Sequence, residues 1–454
     1  MTATERPQNH LFSRSTEHRP PGVRRAEGVW IETEDGRRIL DGSSGALVAS
    51  IGHGVREVIE AQHAQAENVS YVHGSHFTVD AQEDLAQRLA AMAPEGLERV
   101  YPVSGGSEAN ESAIKLARQY FLESGKPQKH KIIARWTSYH GNTLGALSLS
   151  GHIARRRPYV PMLLEEPHIP PCYCYRCPFG LQPDSCGVRC AHELEAEIKR
   201  QGPENIAAFI AEPLVGAAGG ALTPPPEYFP IIREICDRYD VLFIADEVMT
   251  GIGRTGQNFA VDHWNVIPDI ITTGKGVGGG YAPLGAMIVK EQLYQAIARG
   301  SGAFMHGFTY GGHPPSVAAG AAVLKYVEEH DLVAQAALRG EYLAECLEPL
   351  RSSAIVGDIR GKGLMRGIEF VRDQETKAPF PRALKVAERI GSAAFAEGLI
   401  IYPGSGNVDG IDGDQLLIGP PLVISEPEID QLVEMLTAAI DAVEAEMERE
   451  NVLP

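Results

Sequence analysis

The chain has 454 residues, 44% apolar and 22% charged, the mix of an ordinary folded protein with room for one large core or two lobes. Its 41 Lys and Arg against 59 Asp and Glu leave a formal net charge of −18, which argues against nucleic acid or an anionic membrane as partner. There is no run of about 18 apolar residues, and "MTATERPQNHLFSRSTEHRPPG" at the start has no apolar leader core, so a cytoplasmic protein is expected.

In chain order, "GVWIETEDGRRILD" (28–41) alternates and turns at Asp35-Gly36, a hairpin signal. "PVSGGSEANESAIKLA" then places Gly105, Gly106 and Ser107 at the start of a helix expected over 107–124. Free backbone N–H groups and the helix dipole favour a phosphate there, although glycine and serine before a helix are also an ordinary cap. "KIIA" (131–134) reads as a buried strand, followed by "TSYHGNT" with Tyr139, His140 and Gly141. An aromatic at that position can stack on a flat ligand, or be a half-buried tyrosine in a turn.

Five of the seven cysteines fall in "CYCYRCPFGLQPDSCGVRC" (172–190). Cys174, Cys177, Cys186 and Cys190 have the spacing of a structural zinc site, but a surface loop of reduced thiols away from the main chemistry fits as well, and no metal ligand is assigned. Further strands are expected in "IAAFIAEP" (206–213), "VLFIADEV" (241–248), "DIITTGK" (269–275) and "GAMIV" (285–289), with a helix over 226–240. Strands alternating with helices predict an α/β, doubly wound, mostly parallel sheet whose strand ends line a ligand crevice. Helices from about 316, strands near 355–370 and 415–418, and a last helix opened by Ser425 predict a smaller α+β lobe. The expected division is 1–60 with 326–454 in the small lobe and 61–325 in the large one.

Chemistry gathers at the strand ends. Asp246 and Glu212 each follow an apolar run, and a carboxylate there needs a cationic partner, a helix cap or a salt bridge. Lys275 stands among glycines in "TTGKGVGGGY", where a bulky ligand could reach its amine, or where a lysine in a turn is merely solvated. Partial burial would free that amine to attack carbonyls. A phosphate cradle, a stacking ring, a buried aspartate and a lysine are together what pyridoxal phosphate requires. The glycines after Lys275 form no G-x-G-x-x-G turn, which removes a nicotinamide enzyme.

The motifs "SGGSEANESAIKLAR", "SYHGNT", "ADEVMTGIGRTG", "TTGKGVGGGYAPLGA" and "HGFTYGGHPPSVAAG", in this order across nearly the whole chain, resemble those of the class III aminotransferases. The resemblance implies the fold type I architecture, with a seven-stranded type of sheet, and pyridoxal 5'-phosphate as cofactor. It implies that Lys275 carries the cofactor as an imine and moves the proton, and that Asp246 pairs with the ring nitrogen. Tyr139 and Val248 would cover the two ring faces, with Glu212 orienting groups around Asp246. Gly105, Gly106 and Ser107 would hold the phosphate, His140 and Gly141 would lie beside the cofactor, and Thr309 would reach the phosphate of a neighbouring subunit. A homodimer or dimer of dimers follows from such shared sites.

Relatives that use α-amino acids commonly carry an arginine before "PPL"; here the aligned residue is Leu417 in "DQLLIGPPLVIS". Bidentate carboxylate recognition prefers arginine, so a primary amine or ω-amino acid is the expected donor and a 2-oxo acid, pyruvate foremost, the acceptor. Arg366 is a candidate substitute or a surface or interdomain arginine, and Arg254 belongs to the common motif. Tyr71, Val72 and Trp136 are candidates for the substrate pocket or the core. The same cofactor motifs also serve racemases, aminomutases and decarboxylating transaminases, and a non-catalytic binding module would keep them only by accident.

Overall fold

The computed structural model describes residues 10–15 and 20–453. Residues 1–9, part of both the leader reading and the 1–60 segment, lie outside the described residues, as do 16–19 and 454.

The central sheet has seven strands in the order Leu97–Val103, Gly285–Lys290, Ile270–Thr273, Leu242–Asp246, Ile206–Ala211, Lys131–Arg135, His168–Ile169. Gly285–Lys290 runs antiparallel to both neighbours and the remaining neighbours pair in parallel, so the sheet is mixed and mostly parallel. Every residue of Ile206–Ala211 and Leu242–Asp246 is buried, as expected of parallel strands covered on both faces. The pleat sorts them: Ile210, Ile244 and Ile270 pack with Ala113, Leu116 and Phe121 of the helix Gly106–Glu123. Phe209 and Phe243 turn the other way, and Phe243 stacks on Phe229 of the helix Tyr228–Arg238, ring centroids 5.7 Å apart. Each such phenylalanine contributes roughly 1.5–3 kcal/mol by leaving water.

Two smaller sheets are built from the chain ends. Val23–Glu27, Trp30–Thr33 and Arg38–Asp41 form a meander that Leu399–Ile400 joins in parallel, which ties the two ends of the sequence together. The expected hairpin is this second and third strand, with Gly36 in the left-handed region at φ 86°. Val356–Lys362, Met365–Phe370, Asp414–Ile418 and Tyr402–Ser405 make an antiparallel sheet. The last helix, Glu426–Arg449, starts at the Ser425 cap, whose N–H donates to Glu428 Oε2 at 2.9 Å.

Five strands escaped the sequence reading, Leu399–Ile400 and Tyr402–Ser405 among them, and all five lie at sheet edges, since each ends its strand order. Leu97–Val103 ("LERVYPV") is a sheet edge carrying Glu98, Arg99 and Pro102, and Val23–Glu27 ("VRRAE") is exposed along most of its length, so neither has an apolar run. His168–Ile169 is too short to leave a period. Among the described residues no helix is long and apolar enough to cross a membrane.

Candidate active site

Four parallel strands point their C-terminal ends at one edge of the sheet, and the segments leaving them enclose a cavity of about 160 Å³. Gly106, Ser107, Tyr139, His140, Gly141, Glu212, Asp246, Val248 and Lys275 all line it, with Ala217 and Met249. A larger cleft of about 970 Å³ lies against the N-terminal meander, but it holds no lysine and none of these groups.

Lys275 opens the turn after Ile270–Thr273 with a left-handed backbone, φ 44°, a conformation sparsely used by lysine and often found at functional turns. Desolvation lowers its ammonium to about 8; Asp246 and Glu212 pull it back up, and Arg155 pushes it further down. An amine with that value carries a far larger neutral, nucleophilic fraction near physiological pH than an ordinary lysine does.

The adjacent acids Asp246 and Glu247 leave the strand in opposite directions and do different things. Asp246 faces the cavity: its Oδ2 accepts from Asn110 Nδ2 at 2.9 Å and lies 2.7 Å from His140 Nδ1, and its Oδ1 accepts from the Val248 N–H at 3.1 Å. Glu247 faces the core, where it accepts from the Val261 N–H at 2.8 Å and from the Thr250 hydroxyl, and burial raises it to about 7. Glu212 accepts from the N–H groups of Tyr139 (2.8 Å) and Gly216 (3.0 Å), thereby fixing the loop that carries the ring. Burial pushes its carboxyl above the usual range; His140 and the two N–H groups oppose that, and the Asp246 carboxylate adds to it.

At the other end of the cavity the helix Gly106–Glu123 presents its N-terminus. Its first N–H groups have no intrahelical acceptor and its dipole favours an anion. A Cβ at Gly106 would stand 2.5 Å from Val248 Cγ1, and one at Gly141, itself at φ 139°, 2.5 Å from Ser107 Oγ. Both glycines therefore keep a cradle open that side chains would fill. An anion cradle, a desolvated amine and a fixed buried carboxylate, arranged round a space bordered by an aromatic and a valine, fit the phosphate, aldehyde and basic ring nitrogen of pyridoxal phosphate.

Two functional groups were missed in the sequence. Asn110, one turn into the same helix, bonds Asp246, the His140 carbonyl (2.6 Å) and the Thr272 hydroxyl (2.7 Å). Its spacing of four from Gly106 is the only signal of this. Arg155 lies with its guanidinium 4.2 Å from the Tyr139 ring centroid and donates to the Tyr402 hydroxyl at 3.2 Å, and no sequence pattern announces either contact.

Other candidates are elsewhere. Thr309 is exposed and its carbonyl accepts from the Tyr71 hydroxyl at 3.0 Å; neither residue, nor Val72, lines the cavity of its own chain. Trp136 stacks on His168 and borders a separate cleft with His152 and Tyr173. Arg366 spends donors on the carbonyls of Gly340, Gly361 and Gly363, so it braces segments within the C-terminal part of the chain. Arg254 likewise donates to the carbonyls of Leu364 and Pro420. Leu417 is 1% exposed, paired within its sheet to Gly367 and Tyr402.

The cysteine-rich segment is more than a surface loop. Cys172 and Tyr173 are buried, and the Tyr173 hydroxyl and Arg176 both engage Glu369 of the C-terminal sheet. Cys174, Cys177, Cys186 and Cys190 border one small pocket, yet among the described residues no group of three or more His, Cys, Asp or Glu side chains is placed to hold a metal ion.

Comparison with known proteins agrees with this geometry. The family described as class-III aminotransferase matches residues 12–440. The chain is 44% identical to an uncharacterized aminotransferase of Bacillus subtilis, covering 95% of this chain and 97% of that one. It is 35% identical to a putrescine–pyruvate aminotransferase of Pseudomonas aeruginosa, covering 92% and 90%. Its fold superimposes on the omega transaminase of Pseudomonas jessenii, crystallised in complex with PMP, with a TM-score of 0.90 at 32% identity and 97% coverage of both chains. Sequence, fold type I architecture and site together make this chain a class III aminotransferase, an enzyme that transfers amino groups.

Proposed function

We propose that the protein moves the amino group of a primary amine or ω-amino acid to a 2-oxo acid, pyruvate foremost, in two ping-pong half-reactions on pyridoxal 5'-phosphate. The observation that carries the choice of donor is Leu417: an apolar, buried, sheet-paired residue stands where an α-carboxylate would need an arginine. The likeness to a putrescine–pyruvate aminotransferase supports the same donor and acceptor classes.

Bound pyridoxal phosphate supplies an electron sink for the carbon next to the substrate nitrogen. Lys275 Nζ holds the cofactor and, once released, takes the proton from that carbon and returns it elsewhere. Asp246, fixed by Asn110, His140 and the Val248 N–H, is the anion that keeps a ring nitrogen protonated. Tyr139 and Val248 would border the two ring faces, Glu212 holds the Tyr139 loop, and Gly106 and Ser107, with Gly141 beside them and Gly105 just before the helix, would receive the phosphate. Over the cycle the donor carbon is oxidised to a carbonyl and loses its nitrogen, and the acceptor's keto carbon gains that nitrogen and is reduced to an amine. Thr309 serves the cofactor of a second subunit, which makes the working unit a cytoplasmic homodimer or a dimer of dimers. The division at about residues 60 and 325 into two lobes belongs to the same proposal.

The test is the absorption of the holoenzyme. A primary amine should bleach the band of lysine-bound cofactor, and pyruvate should restore it with formation of alanine. A band that no amine bleaches, with racemisation or isomerisation of an amino acid instead, would overturn the reading.

A further inference from the structure

Resting on the function proposed above, we infer that Arg155 is the residue that receives the substrate carboxylate, and so sets acceptor specificity. Every 2-oxo acid brings a carboxylate next to its reacting carbon, and a partly desolvated site must offer it a cation. Arg135 is fully buried behind the site, where it donates to the Glu212 carbonyl, and so is out of a substrate's path. Leu417 is apolar and within a sheet. Arg366 and Arg254 are engaged by backbone carbonyls, Arg156 by the carbonyls of Leu147, Ser148 and Ser150, and Arg176 and Arg360 by Glu369.

Arg155 differs from Arg176 and Arg360 in having no carboxylate partner, and from Arg156, Arg254 and Arg366 in donating to no backbone carbonyl. No carboxylate of a described residue lies within ion-pair distance of it, although the chain carries a surplus of acids. Its one side-chain hydrogen bond goes to the neutral Tyr402 hydroxyl, at 3.2 Å. The guanidinium rests 4.2 Å from the centroid of Tyr139, the ring that borders the Lys275 cavity. Stacking of this kind fixes the plane of a guanidinium while leaving its N–H edge available, which suits two parallel bonds to a carboxylate. Its charge is one of those that lower the Lys275 ammonium. Tyr402 belongs to the strand Tyr402–Ser405, which pairs with the Leu417 strand, so its hydroxyl ties the arginine to that sheet.

A carboxylate reaches the site on the acceptor or on an ω-amino acid donor, and one set of measurements on holoenzyme separates the two. Wild type, Arg155→Gln and Arg155→Lys would be compared for the calorimetric Kd of propionate, a carboxylate with nothing to react, and for the KM of pyruvate, β-alanine and propylamine. Loss of a charge-assisted pair predicts that Arg155→Gln weakens propionate and raises the pyruvate KM by about tenfold or more, with propylamine shifted less than about twofold. Arg155→Lys, which keeps the charge without the fork, should fall between. A β-alanine KM that rises with pyruvate's extends the role to donors; one that follows propylamine confines it to acceptors. Propionate and pyruvate unchanged in Arg155→Gln would overturn the inference, as would equal losses for pyruvate and propylamine, which would mean that Arg155 only supports Tyr139. If wild type transaminates no amine, the proposed function falls, and the propionate titration alone still decides Arg155.

Discussion

Desolvation changes what Lys275 can do at neutral pH. Its amine titrates at about 8 instead of 10.5, so the uptake of pyridoxal phosphate by apoprotein, followed by absorbance, should rise with pH and reach half its maximum near pH 8. The neighbouring acids should separate cleanly. Asp246→Asn removes the fixed anion of the site and should lower kcat by about 10²–10³-fold, whereas Glu247→Gln, whose partners are Thr250 and Val261, should act on stability with the cofactor still bound. Gly106→Ala would drive Val248 into the ring space, and should weaken cofactor retention on dialysis by about tenfold. Lys275, Asp246, Tyr139 and the glycines were legible because each sits in a short motif whose chemistry is local. Asn110, Arg155 and Tyr402 were not, since their roles exist only once segments some 30 to 250 positions apart are brought together.

Elements differed in legibility for an equally physical reason. Central parallel strands announce themselves, because cover on both faces demands unbroken apolar runs such as that of Ile206–Ala211. Edge strands face water on one side and carry charges and proline that keep other strands from pairing with them, so Leu97–Val103 reads as a polar connection. The helix Glu426–Arg449 was legible from its cap, and Ser425→Ala should cost about 1 kcal/mol, measured as a lower urea midpoint. The short edge strand His168–Ile169 carries a pH effect. Burial lowers His168 to about 4, as it does His152 in the segment beside Tyr139. When pH falls below about 6.5 the unfolded chain takes up protons that the folded chain refuses, so stability declines down to about pH 4. His168→Phe should flatten that decline in urea midpoints measured from pH 7 to 4, and an unchanged slope would exclude the assignment.

For the whole molecule, the sequence foretold an α/β core with a lobe drawn from both chain ends, and the parallel pairing of Leu399–Ile400 with Arg38–Asp41 is the physical joint between those ends. The assembly was not legible within one chain. Thr309 lies exposed beside Tyr71 and Tyr310, away from the cavity that its motif would serve. Sedimentation should therefore give at least twice the 49.1 kDa of one chain, and Thr309→Ala should loosen the cofactor without moving any group of its own cavity. One further property follows from Asn110 and the anion cradle sharing the helix Gly106–Glu123. A single rigid turn, about 5.4 Å in pitch, separates the N-terminus that would receive a phosphate from the asparagine that steadies Asp246. The helix would thus act as a gauge block, fixing the distance between a phosphate at its N-terminus and the ring nitrogen at Asp246, and an analogue with one extra methylene in its phosphate arm should bind more weakly on length alone.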